Sequence, residues 1–335
     1  DFTSFDLVNY LKGSTGSFSS IVYRHNGKIT GATPAPRGLT EFSLPGNPRH
    51  ELFLKLNYRH PFALEKKYCS VLTQYGCPFK CVFCIMGKLP YKCRKPEEVL
   101  SELRYTSSLG VREIFFVDQT FGADRPKTIR LLSEMIRQRL NISWFGFSRV
   151  DVLDQELLDL MKESGCHTLI LGVESGSSRL LAKYRKGYDK PRILSIVNAC
   201  NRRGIKTVGT FILGLPDETE ETANETLDFL KELPLDYASF NVAVPRAGTD
   251  LRKEALSSGL IDDDSITMDQ SGTEVAMPTK HLTQAQVRTF RRKAVRQFYL
   301  RPGYILRRLR KIKSRHEFAQ NITNAVWLLR NTWDI

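Results

Sequence analysis

The sequence is defined first by what it lacks. No run of about 20 apolar residues occurs in its 335, so no membrane-crossing helix is expected. No secretory signal is evident at the N-terminus, which begins at Asp1 without an initiator methionine, so a processed or shortened end is expected. Cysteine is scarce: there are seven, none before Cys69, and their spacing is not that of a disulfide framework. Thiols in a reducing cytoplasm are therefore expected. Acidic residues are missing from 288–315, where twelve Arg or Lys account for most of the net charge of +14. The rest of the chain is near balance, so the basic character is local. No low-complexity tract and no internal repeat beyond a βα alternation is present. At 41% hydrophobic and 26% charged residues, the chain can bury an ordinary core.

What is present centres on three cysteines. Cys77, Cys81 and Cys84 lie in Gly76-Cys77-Pro78-Phe79-Lys80-Cys81-Val82-Phe83-Cys84, a C-x3-C-x2-C spacing that puts three thiolates in one short loop. Zinc sites favour a C-x2-C pair with a second pair downstream, which is absent here. Most [4Fe–4S] proteins use four cysteines. Three local ligands leave one iron open to a small molecule, which suits chemistry better than electron storage. Such an exposed cluster predicts an oxygen-poor setting.

Around that loop, short apolar runs alternate with amphipathic ones, as in repeated βα units on a parallel sheet. Strands are predicted at Cys69–Thr73, Glu113–Val117, Ser143–Phe147, His167–Gly172, Lys206–Leu213 and Tyr237–Val242. Helices are predicted at Pro96–Leu109, Arg125–Leu140, Asp154–Ser164, Lys190–Arg203 and Glu218–Glu232. Further helices are predicted at Gly248–Leu260, Thr283–Leu300 and Ile305–Arg330, the last two separated at Pro302-Gly303. Asp262–Pro278 reads as irregular, Phe5–Leu11 is the one stretch of 1–65 with helical periodicity, and Ser20–Thr30 reads as a hairpin turning at Asn26-Gly27. The organisation predicted is an N-terminal extension or linker remnant (1–65), a core barrel (66–250) and a basic helical region (251–335).

The cysteine motif, with Phe83 before its last cysteine, resembles that of the radical S-adenosylmethionine (SAM) superfamily. The resemblance implies an α/β fold, a partial (β/α)6 TIM-like barrel. It implies a [4Fe–4S] cluster on Cys77, Cys81 and Cys84, with SAM on the open iron and a reducing partner such as flavodoxin or ferredoxin. Strand-end segments extend it. Asp118-Gln119 follows the second strand, where the family often has two acids that hydrogen-bond the methionyl ammonium. Arg149, in Ser148-Arg149-Val150-Asp151, would clamp the SAM carboxylate. Gly172-Val173-Glu174-Ser175-Gly176 matches the family's Gly-x-Glu-Ser-Gly, with Glu174 directed to the ribose hydroxyls or amino group and Ser175 beside it. Gly209–Pro216, including Gly214, is like the segment beside adenine. Cys93, among Lys92, Arg94 and Lys95, is a weak candidate for a hydrogen donor or acceptor, since cations lower a thiol pKa.

The details look most like the cobalamin-associated branch, with its magnesium-protoporphyrin ester cyclases and hopanoid enzymes. That resemblance implies methylation, cyclisation or C–H modification of a small-molecule, lipid-like or tetrapyrrole substrate. It also brings cobalamin into view, but the usual Asp-x-His-x-x-Gly ligand motif is absent: none of the six histidines has Asp two places before it. Two alternatives stand beside this reading, an RNA-modifying methylthiotransferase and a non-enzymatic iron–sulfur module. The first is disfavoured because residues 1–68 lack a second cysteine trio, so nucleic acid is not the expected partner. The basic stretch 288–315 has three readings: it caps the barrel, makes peripheral contact with an anionic inner-membrane surface, or contacts RNA phosphates.

Overall fold

A computed structural model describes residues 22–25, 28–31, 41–44, 46–56, 58–262 and 274–311. The chain divides into two compact units, Asp1–Thr40 and Glu41–Ile335. In the first, strands β1 (Val22–His25) and β2 (Lys28–Gly31) pair antiparallel with His25 opposite Lys28, the register of a hairpin with a two-residue connection. The expected helices at Phe5–Leu11 and beyond residue 311, and most of the expected irregular stretch Asp262–Pro278, lie outside the described residues.

In the second unit six parallel strands run in sequential order: β3 (Cys69–Val71), β6 (Glu113–Phe116), β7 (Ser143–Ser148), β8 (Cys166–Glu174), β9 (Lys206–Leu213) and β10 (Tyr237–Val242). Helices α1 (Pro96–Ser108), α2 (Arg125–Arg137), α3 (Gln155–Glu163), α5 (Lys190–Arg202) and α6 (Glu220–Glu232) connect them. Order and count are those of the expected partial barrel, with β3 and β10 as the edges. The helix starts follow from capping chemistry. Asp124, Asp154, Asp189 and Thr219 each accept a hydrogen bond from a main-chain N–H three residues on. Pro96 opens α1, with Glu97 and Glu98 in its first turn.

Several bounds differ from expectation for local reasons. The first strand ends at Val71 because Thr73 turns away to meet Asp118. The fourth runs on to Glu174 through a register shift between Gly172 and Glu174. Helix α6 starts two residues late, since Thr219 is its cap and Glu218 points inward to the Gly214 N–H. A short hairpin, β4 (Gln74–Tyr75) with β5 (Lys92–Cys93), and α4 (Ser178–Lys183) are additional. After β10 come α7 (Asp250–Ser257), α8 (Gln284–Tyr299) and α9 (Pro302–Lys311). The last begins at Pro302 rather than after it, since proline fits the first turn of a helix.

Alternation along the strands separates an outer core from a barrel interior. Ile114, Phe116, Trp144, Leu169, Leu171 and Phe211 pack outward beneath the helices in one large apolar cluster. The alternate positions face inward and match across the sheet: Ser70, Phe115, Phe145 and Thr168 in one layer. Phe147, Ile170, Val208 and Tyr237 form the next, followed by Gly172, Thr210 and Ser239. At the N-terminal ends of the strands the interior is plugged. The His60 ring lies 4.6 Å from Phe145 and 4.8 Å from Phe115, and Phe62 lies 5.3 Å from Tyr237. Buried Glu113 holds this plug by accepting from the Leu64 and Glu65 amides and from His167. Burial lowers the His60 pKa to about 4, so its ring is neutral.

The basic helices close over the outside of the barrel near α6 and β10. Arg291 donates to the Phe240 carbonyl, Arg301 to those of Leu230 and Leu233, and Arg307 to that of Leu235. Part of the positive charge thus caps exposed carbonyls at the end of α6 and the start of β10. No described helix is long and apolar enough to cross a membrane.

Two predictions follow from one buried knot beside β3. Arg94 and Glu102, each side chain 2% exposed, form an ion pair, and His50 donates to the same carboxylate at 2.8 Å. Glu102→Ala strands the Arg94 guanidinium and should lower the unfolding free energy by about 3–5 kcal/mol in urea titrations. Hydrogen bonds to Cys69 and then Glu102 raise the His50 pKa from 6.5 to about 9. Its contribution is complete below pH 6.5 and is lost as pH rises through 9. The urea midpoint should therefore fall over that window in wild type, with a shallower fall in His50→Gln.

Candidate functional site

The three cysteines lie in the connection between β4 and β5, above the C-terminal end of β3. Antiparallel pairing of Gln74 with Cys93 and Tyr75 with Lys92 ties the two ends of that connection. Asp118, at the end of β6 and fully buried, fixes its entrance. One carboxylate oxygen accepts from the Thr73 and Gln74 amides at 2.7 and 3.0 Å, and the other from the Thr73 hydroxyl at 2.5 Å. Burial pushes the carboxyl up to about 6 against the lowering effect of these bonds. Gln74 reaches across to the Thr120 carbonyl, Tyr91 donates to Gln74 at 2.8 Å, and Thr120 lies 3.6 Å from the Cys77 sulfur. Val82 donates to the Tyr184 carbonyl at 3.3 Å, which secures the far side of the loop.

Two buried cations stand against this loop. The Arg149 guanidinium donates to the Cys81 sulfur at 3.1 Å and stacks 3.9 Å from the Phe79 ring centre. It is held by both oxygens of Asp151, at 2.9 and 2.7 Å, and by the Lys186 carbonyl. Lys186 donates to Glu174 at 3.0 Å, and its ammonium is 5.4 Å from the Phe83 ring. Burial drives the Lys186 pKa down, but negative charge around it, from Glu174 first, together outweighs this, so the ammonium stays charged. Tyr188 donates to the Gly172 carbonyl at 2.5 Å.

Glu174 has φ +66°, a conformation disfavoured for a side-chain-bearing residue. It follows the register shift that turns its carboxylate back over Gly172. A Cβ on Gly172 would sit 2.5 Å from that carboxylate, and one on Gly176 only 2.6 Å from Thr226 of α6. Both ends of the Gly172–Gly176 segment therefore need glycine.

The remaining expected site residues are placed differently. Gln119 is exposed at the rim. Ser175 is turned to Thr226, 3.1 Å away, and accepts from the Ser177 amide, so it joins β8 to α6. Gly214, at φ +80°, donates to Glu218, whose buried carboxyl is pushed up to about 7. Cys93 corrects an expectation: it is 4% exposed on β5, and burial raises its thiol pKa although cations flank it in sequence. Lys186, Tyr188, Asp151, Thr73 and Gln74 were not singled out by sequence. Only the distance of Lys186 from Glu174 across α4 hints at its role, because no short motif encodes a contact made through a turn.

The donor set fits an iron–sulfur cluster. Among the described residues no three His, Cys, Asp or Glu converge tightly enough for a single metal ion. Burial raises the Cys84 thiol pKa, and negative charge at Cys81 and Cys77 would raise it further. Three thiols in one loop, not gathered on a single ion among the described residues, suit a cubane, where each would meet a different iron. Above the plugged floor the barrel interior faces them with Phe147, 36% exposed, on one wall. Partly exposed Thr210, Ser239 and Asn241 line the opposite one.

Residues 71–230 match the model of the Radical SAM superfamily. An uncharacterized methyltransferase of Pyrococcus horikoshii is 33% identical over 89% of this chain and 64% of its own. The anaerobic magnesium-protoporphyrin IX monomethyl ester cyclase of Rubrivivax gelatinosus is 30% identical over 53% of this chain and 33% of its own. Among solved structures, the radical SAM methyltransferase TsrM of Kitasatospora setae, with tryptophan and a SAM analogue, aligns with a TM-score of 0.62. Its identity is 18%, over 88% of this chain and 65% of its own. The cobalamin-dependent radical SAM enzyme OxsB aligns with a TM-score of 0.69 at 16% identity, over 99% of this chain and 54% of its own. These structural likenesses support the partial-barrel fold. The chain spans less than two thirds of the length of each of these relatives.

Asp118 provides the direct test of the loop's anchorage. Asp118→Ala leaves the Thr73 and Gln74 donors without their buried acceptor, worth about 1–3 kcal/mol per stranded group. After anaerobic reconstitution the variant should retain several-fold less iron and sulfide per chain than wild type, whereas Gln119→Ala should load normally.

Proposed function

With a radical SAM domain at residues 71–230 as the premise, we propose that the chain is an enzyme that reductively cleaves SAM, to methionine and a 5′-deoxyadenosyl radical, to activate a small molecule, most directly for methylation from a second SAM that leaves as S-adenosylhomocysteine. The juxtaposition of a three-thiol loop with buried Glu174–Lys186 at the open end of the barrel carries this reading. When bound, a [4Fe–4S] cluster on Cys77, Cys81 and Cys84 supplies the electron that splits the SAM sulfonium and begins radical chemistry.

The protein's residues supply position and shelter. Asp118 fixes the entrance to the cysteine loop, which leaves exposed Gln119 as the rim acceptor for the methionyl ammonium. Lys186 holds the Glu174 carboxylate in place to receive hydroxyl or amino donors of SAM. Gly214 follows β9 where adenine is expected, with Val287 of α8 3.0 Å from where its Cβ would lie, so only its main chain could meet the base. Phe147, 36% exposed, presents an aromatic face above the plug that Phe115 and Phe145 form with His60. The Thr210–Ser239–Asn241 side offers hydrogen bonds. This division suits a substrate with a flat apolar body and a polar edge, shielded from water by the plugged floor.

Methyl transfer is favoured over cyclisation because the Pyrococcus methyltransferase is similar over 89% of this chain, against 53% for the cyclase. Cobalamin is assigned to no residue here. A flavodoxin or ferredoxin in an oxygen-poor cytoplasm is the reductant this reading calls for, reaching the half-buried Cys77 and Cys84. Membrane contact through 288–315 is left to the part of that stretch whose charges are not used on main-chain carbonyls.

The test is anaerobic reconstitution with iron and sulfide, followed by SAM and dithionite, with mass spectrometry for 5′-deoxyadenosine and S-adenosylhomocysteine. Wild type should form SAM-derived product, and Cys81→Ala should lose it by at least 100-fold, about 2.7 kcal/mol. A fully loaded cluster that forms no 5′-deoxyadenosine would overturn the proposal.

A further inference from the structure

We infer that Arg149 is a positioning residue for the cluster, setting its reduction potential through the Cys81 sulfur, rather than a clamp for the SAM carboxylate. The inference rests on the cluster reading above.

A guanidinium has five N–H donors, and a carboxylate is best gripped by two of them along one edge. In Arg149 that edge is taken: Nε and one terminal nitrogen bind the two Asp151 oxygens at 2.9 and 2.7 Å. The same terminal nitrogen also donates to the Lys186 carbonyl. The other terminal nitrogen donates to the Cys81 sulfur at 3.1 Å, leaving one N–H. Phe79, from the cysteine loop itself, covers the cation at 3.9 Å, and Tyr188 stands 5.3 Å from it. Arg149 is 5% exposed. A SAM carboxylate could gain a bidentate grip only by breaking the Asp151 pair in a buried site, an exchange with no evident driving force.

The same restraints suit the other role. Asp151 and the Lys186 carbonyl fix the guanidinium plane, and Phe79 seats it, so its remaining donor is aimed at sulfur. A hydrogen bond from a buried cation to a cluster sulfur favours the more negative, reduced state, and burial strengthens it. Asp151 offsets part of the charge but leaves the donor in place. Sequence position alone favoured a SAM contact because Arg149 ends a strand; the bonds it makes reassign it.

The experiment is an EPR-monitored redox titration of the reconstituted cluster without SAM, with iron and sulfide counted in each preparation. Arg149→Met should shift the midpoint to more negative potential at full loading. Arg149→Gln, which keeps a neutral donor, should shift it less, and Arg149→Lys should restore it towards wild type. An unchanged midpoint in either loaded neutral variant overturns the inference. So does loss of loading in both neutral variants with full loading and a wild-type midpoint in Arg149→Lys, since Arg149 would then only tie down the loop. If wild type itself takes up no cluster, it is the cluster reading that fails.

Discussion

The site depends first on the bonds that Asp118 makes with Thr73 and Gln74. Strand β3 is only three residues long, and the chain must leave it at once for β4 and a loop of sixteen residues that returns to β5. Val82 and Phe83 seat the far part of that loop in an apolar cluster with Leu180, Tyr184 and Leu215, but its departure from the strand is made by polar contacts. A buried carboxylate on the neighbouring strand, accepting three hydrogen bonds, converts the departure point into part of the sheet. The cysteines inherit their position from that junction, and everything else at the open end is arranged against them.

The electrostatics of the open end follow from the same economy of space. Arg149 and Lys186 are both buried, and an isolated buried cation is strongly disfavoured. Each has its own carboxylate, Asp151 and Glu174, and each lies near an aromatic ring from the cysteine loop, Phe79 and Phe83. The arrangement places positive charge beside the thiols, where thiolates carry negative charge, without leaving either cation unpaired. The strained backbone of Glu174 is consistent with this: the register shift that strains it also brings its carboxylate to Lys186.

The two ends of the barrel are chemically opposite. At the floor, Glu113 and His167 satisfy each other while His60 and Phe62 fill the interior, so water is excluded. At the mouth, the inward residues are left partly exposed and divide into an aromatic and a hydroxyl-bearing wall. The basic helices α8 and α9 do not enter the interior; their arginines close off carbonyls on the outer side.

The sequence by itself determined the number, order and approximate bounds of the βα units, because apolar periodicity and capping residues such as Asp154 and Asp189 act within a few residues of one another. It also determined the thiol triplet, since three ligands in eight positions are local. It could not show that Arg149 binds Asp151 and the Cys81 sulfur, that Ser175 faces α6, or that Cys93 is buried despite its cationic neighbours. Nor could it pick out Lys186, twelve residues beyond the carboxylate it pairs with. Those outcomes depend on which side chains meet across strands and on how much water remains between them. Only the tertiary structure decided that, because burial and hydrogen-bond competition are settled by residues distant in the chain.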